Sequence, residues 1–149
     1  MPHYLFGLIA RQHPKLTFKA VNALADTFDA SRPATAIRLV ESDHAPALLV
    51  SHGPMGRKWF ARAPSVPQKW FPREALDADS CAFGVQFGGN ADDPLLRKIG
   101  ADAWFDRWDA DRFEVHEQTI RIAPDETLTL VTISDQRMIE DQEEHSRGR

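Results

Sequence analysis

A disulfide framework is excluded at once, because Cys81 is the chain's one cysteine and has no second thiol to pair with inside the chain. Long apolar runs are missing too, and no signal peptide or stretch of membrane-spanning length is present, so no membrane association and a cytoplasmic location are expected. Basic charge is in short supply: a net charge of −4 argues against a protein that coats nucleic acid, since nonspecific affinity comes from many Lys and Arg contacts to phosphate. The first 44 residues are nearly neutral, with one positive charge in excess. There is no phosphate-cradling GxGxxG or Walker-type loop and no GxSxG nucleophile elbow. Zinc of the HExxH type fails as well, because His116-Glu117 opens such a string but Ile120 stands where the second histidine would be. No pair among His3, His13, His44, His52 and His145 lies three to five residues apart, and His44 and His52 read as surface loop residues. No metal or other cofactor is therefore expected.

What is present starts with Thr17 to Glu41, TFKAVNALADTFDASRPATAIRLVE. Phe18, Val21, Leu24, Ala25 and Phe28 recur at helical spacing, and Ala36, Ile37 and Val40 take the period up again. Ser31 is a good N-cap and Pro33 falls in the first turn, where a missing N–H costs little, so a second helix is predicted from Arg32. Two helices at a short polar corner have the outline of a helix-turn-helix, without the glycine often found in that corner. On the second helix Arg32, Thr35 and Arg38 repeat every three residues. They are candidate DNA-facing residues of a recognition helix, and equally a solvated face. Residues 3–10 read either as a further short helix or as a stretch that packs on a preceding segment.

Past His44 the period changes. Ala47–Ser51 and Arg57–Arg62 predict a hairpin around Gly53-Pro54-Met55-Gly56. Residues 63–80 predict a long connection pinned by Trp70 and Phe71, and 80–87 a helical turn. Pro94–Trp108 is expected to be part helix, broken near Gly100, and Phe113–Ile122 with Thr127–Ser134 an antiparallel pair with a bulge in the first strand. The tail from Asp135 reads as a solvated helix or frayed end. The fold class is therefore α+β, with a helical, helix-turn-helix-like unit over 1–44, a sheet lobe with short flanking helices over 45–134, and a charged tail over 135–149. Tryptophan offers an apolar wall with a polar handle, so Trp59, Trp70 and Trp104, with Arg62, are candidate pocket residues for a small-molecule or protein ligand. Core packing would also account for them.

The opening MPHYLF, the segment FKAVNALADTFDASRPATAIRLVE, then ALLVSHGPMGRKWFARAP and the closing ETLTLVTI resemble the rear part of the ImmA/IrrE-type zinc metallopeptidases. In that family a zinc domain precedes a Leu-Met-Pro stretch, a helix-turn-helix-like unit follows, and a GAF-like sensor lobe follows in some members. Met1-Pro2 resembles that Met-Pro stretch, so the resemblance places the zinc residues upstream and carries no catalytic residue over. It implies a non-catalytic regulatory part whose longer product would be a metallopeptidase, a repressor protein as partner, and a GAF-like lobe over 45–134. A stand-alone helix-turn-helix transcription regulator is the alternative. Tyr4, Leu5 and Phe6, if uncovered, would favour a homodimer.

Overall fold

The computed structural model describes residues 15–140. The expectations for residues 3–10 and for the tail beyond 140 lie outside them. Among the described residues the fold is α+β, as expected: helices α1 (Phe18–Phe28), α2 (Arg32–Glu41) and α3 (Cys81–Phe87) accompany strands β1 (Ala47–Gly53), β2 (Gly56–Arg62), β3 (Asp93–Gly100), β4 (Glu114–Ala123) and β5 (Glu126–Thr132). A last helical segment, α4, covers 136–140. The five strands form one open antiparallel sheet in the order β2-β1-β5-β4-β3. No described helix is long and apolar enough to cross a membrane.

Local chemistry sets the helix ends. Thr17 caps α1 by accepting from the Ala20 amide, and Ser31 caps α2 by accepting from Ala34, which satisfies amides that the helix itself leaves without partners. Between the helices Asp29 takes a left-handed conformation, φ 52°, and the Ala30 amide returns to the Ala25 carbonyl. That closes α1 with the hydrogen-bond pattern usual for glycine-ended helices, with aspartate in glycine's place.

The helix pair is packed on the sheet. Phe18, Val21, Leu24, Ala36, Leu39 and Val40 belong to the same apolar cluster as Leu48, Leu49, Leu128, Leu130 and Trp70. A buried hydrogen bond from the Phe18 amide to Gln118 Oε1, 2.7 Å, ties the start of α1 to β4. This packing takes one residue of the expected outward face of α2 inward. Thr35 is 1% exposed, Arg38 is half-buried, and Arg32 donates to the Arg121 carbonyl. The three residues do not form one open face, because the stripe that meets the sheet includes Thr35.

Two strand expectations also change. Pro94–Gly100 is strand, not helix: Leu95, Leu96 and Ile99 mimic helical spacing, but Ile99 pairs with Val115 on the sheet edge and both leucines are exposed, so pairing overrides local pattern. β4 runs without a break against β5 from His116 to Arg121. The expected irregularity of β4 falls later than its parity change, between Arg121 and Ala123, and a further one lies in β3, between Asp93 and Arg97. Val115 and Ile120 are both buried despite opposite parity, since both faces of β4 are covered. Finally, α4 is docked where a solvated end was expected. Met138 is fully buried and its carbonyl accepts from Trp70 Nε1 at 2.9 Å.

Candidate functional site

Side chains alternate between the faces of a strand, and the register assigns each face. Gln118, Leu130 and Leu49 stand in one row on the α1 side. The opposite face carries the rows Glu117-Val131-Leu48, Thr119-Thr129-Val50 and Arg121-Thr127-His52. Alternation of Thr127 and Thr129 with Leu128 and Leu130 thus puts hydroxyls on one side and leucines on the other.

This second face is roofed by α3 and by the segment around Trp104. Glu117, 2% exposed, accepts from Ser80 Oγ at 2.6 Å, the Cys81 amide at 3.1 Å and Trp104 Nε1 at 3.0 Å. Burying a carboxylate is costly unless its lone pairs are answered, and three neutral donors answer it here. Ser80 also caps α3 by accepting from the Ala82 amide, so one hydroxyl both starts the helix and holds it to β4. Next to it Cys81 Sγ lies 3.3 Å from Thr119 Oγ1, which lies 2.9 Å from Thr129 Oγ1. The far end of α3 is held by Arg121, whose guanidinium donates to the Val85 and Pro124 carbonyls. Between α3, the turn after it and β3 opens a cavity of about 500 Å³, with Ser80, Cys81, Gly84, Asn90, Asp92 and Arg97 on its walls.

His52 ends the row on the other side. It is 1% exposed, a correction to its reading as a loop residue: β1 runs on to Gly53 before the turn and carries the ring inward. Its edge meets Trp104 at 5.9 Å between centroids. The ring faces the main chain of Arg73 and Glu74, and the Thr127 hydroxyl on the neighbouring strand has no hydrogen-bond partner among the described residues. Burial, then the Arg57 charge, lowers the His52 pKa from 6.5 to about 4, against a smaller opposing pull from the main chain of Arg73 and Glu74. Because the folded value is depressed, the unfolded chain binds the proton first. Stability is therefore undiminished by this group above pH 6.5 and falls as pH drops towards 4, by about 2–3 kcal/mol once solvent screening is allowed for. Urea unfolding at several pH values should show this slope in the native chain and a flatter one in His52→Gln. Parallel slopes would assign the loss to other groups.

The candidate pocket residues separate. Trp104 belongs to the site through Glu117. Trp70 is fully buried against Phe105 and Phe113, and Arg62 pins the 63–80 connection by donating to the Pro67 and Trp70 carbonyls. Trp59 pairs with Ser51, one register step before His52, and is half-buried. None of the four lines a described cavity. Sequence reasoning missed Glu117, Thr119, Thr127 and Thr129, although the Thr-Leu-Thr-Leu alternation of β5 was a legible signal. Among the described residues no three His, Cys, Asp or Glu side chains are grouped to hold a metal ion.

Compared with known proteins, the chain matches no family model and no curated protein.

Proposed function

We propose that this chain is a ligand-sensing regulatory part of an ImmA/IrrE-type protein, its sheet forming a GAF-like lobe, with no catalytic role of its own and a cytoplasmic location. The observation that carries the sensing role is the buried polar face of the sheet beside an open cavity. Glu117, Thr119, Thr127, Thr129 and His52 sit where an apolar core would be more economical, and the hydroxyl–thiol line from Thr129 through Thr119 reaches Cys81 on the cavity wall. A concave site with a few converging polar groups suits a small hydrogen-bonding molecule. Binding there would press on α3, which joins the cavity to β4 through Ser80, and a repressor protein is the partner that reading implies. The inward turn of Thr35 and the bond from Arg32 to the sheet weigh against the stand-alone DNA-binding alternative.

Native mass spectrometry of the endogenous protein, pulled from its own cells, tests both halves of this reading. A chain heavier than 16.8 kDa carrying a small-molecule adduct that is lost on denaturation is the expected result. A bare chain of 16.8 kDa would overturn it.

A further inference from the structure

We propose that the cavity beside α3 takes an uncharged amphipathic molecule, one that presents a carboxamide-like edge to Asn90 and an apolar body to Phe83 and Leu95. It depends on the sensing role proposed above, for which it names the class of ligand. The polar end of the site is built by the turn that closes α3. The main-chain amides of Gly88 and Asn90 both donate to the Gly84 carbonyl at 3.0 Å, while Gly89 turns the chain back through a left-handed φ of 71°. Capping thus uses only the main chain of Asn90. Its carboxamide stands on the cavity wall and makes no hydrogen bond to any other described residue. Gly84 gives it room, because a Cβ there would lie 2.4 Å from Asn90 Nδ2. Glycine is among the least favourable residues inside a helix, and Gly84 has no positive φ that would call for one. Contact with the carboxamide is what its presence serves.

Other walls of the cavity are apolar. Phe83, Val85 and Leu95 line it, and Phe83 packs on Phe87 with ring centroids 5.2 Å apart. Leu95 is 63% and Phe87 53% exposed, so apolar surface continues past the cavity along α3. Charge narrows the class further. An anion would meet Asp92 on the wall and Asp77 and Asp79 just before Ser80. A cation would share the walls with Arg97, and the acid there, Asp92, already accepts from the Arg121 amide at 2.7 Å. A neutral group meets neither cost. The Asn90 carboxamide has a donor and an acceptor side by side, so a primary amide or a lactam can pair with it through two hydrogen bonds. The volume, about 500 Å³, suits a drug-sized molecule.

The test is the amide NMR spectrum of the full chain titrated with phenylacetamide. Phenylacetate, 2-phenylethylamine and acetamide serve as counterparts that change the charge or remove the ring. Phenylacetamide should shift the signals of Ser80 to Val85 and of Asn90, and each counterpart should bind about tenfold more weakly. Asn90→Ala should weaken phenylacetamide about tenfold and Leu95→Ala about fivefold, with melting temperatures unchanged because both side chains are exposed. Gly84→Ala should weaken it too, by displacing the carboxamide. Equal or tighter binding of phenylacetate or 2-phenylethylamine at the same residues would overturn this ligand class and leave a sensing cavity. Equal binding of acetamide, or undiminished binding by Asn90→Ala, would overturn it in the same way. No shift at these residues from any of the four probes would overturn the class and count against the sensing role with it.

Discussion

Replacing Glu117 with alanine should lower the unfolding free energy by about 3–5 kcal/mol, because it leaves several enclosed donors without an acceptor at once. Three donors lose their acceptor together: Ser80 Oγ–H, the Cys81 amide and Trp104 Nε1–H. Ser80 and Trp104 are buried and the Cys81 amide partly so, and an unanswered buried donor costs about 1–3 kcal/mol. Glu117→Gln should cost less, since one carbonyl oxygen still accepts, though its NH₂ must then face at least one donor. The order native, then glutamine, then alanine in urea midpoint is the measurement. A glutamine midpoint equal to the native one, with only alanine lowered, would show that packing volume, and not acceptor capacity, sets the effect.

Trp70→Ala should be as severe, about 3–5 kcal/mol, by a different route. The indole is fully buried with its centroid 5.5 Å from Phe105 and 5.7 Å from Phe113, so truncation opens a void that close-packed neighbours only partly fill. It also removes the donor that holds the Met138 carbonyl. The second consequence is separable: Trp70→Phe keeps most of the apolar volume but has no N–H. Limited proteolysis of Trp70→Phe should then cut near α4 at moderate global stability. Unchanged resistance to cleavage there would mean that apolar packing of Met138 alone holds the segment.

Much of this fold was legible where local chemistry and tertiary packing agree. Ser31 and Pro33 marked the start of α2 because capping is a property of a few adjacent residues, and the Gly53–Gly56 corner marked the first hairpin for the same reason. Ser80 likewise began a helix where a helical turn was expected. Legibility ended where a partner distant in sequence decides the outcome. Leu95, Leu96 and Ile99 have helical spacing, and only the availability of β4 as a neighbour makes their segment a strand. Thr35 looks polar and outward beside Arg32 and Arg38, yet the sheet takes it as part of the buried stripe.

The site was harder to read than the fold. Tryptophan drew attention by size, but Trp70 and Trp59 serve packing, and only Trp104 reaches the polar cluster. Glu117 could not be singled out from the string Val115-His116-Glu117-Gln118-Thr119, because its acceptor role depends on Ser80 and Trp104, which the chain brings from either side. His52 differed from a loop residue only by the two positions through which β1 continues. Once β1 runs through it, alternation along the strand puts His52 on the face of Leu48 and Val50.

The central place of β5 beside β1 also bears on how the protein is made. Every residue of β1 is buried, and its inner neighbour, β5, is the last of the described strands to be synthesised. A ribosome adding about 5–20 residues per second would therefore hold Ala47–Gly53 with one edge uncovered for seconds before Glu126–Thr132 emerges. Pairing so distant in sequence slows folding, and an apolar strand edge left waiting is a template for association with other chains. Nascent chains stalled before β5 should be the form of this protein most dependent on chaperones.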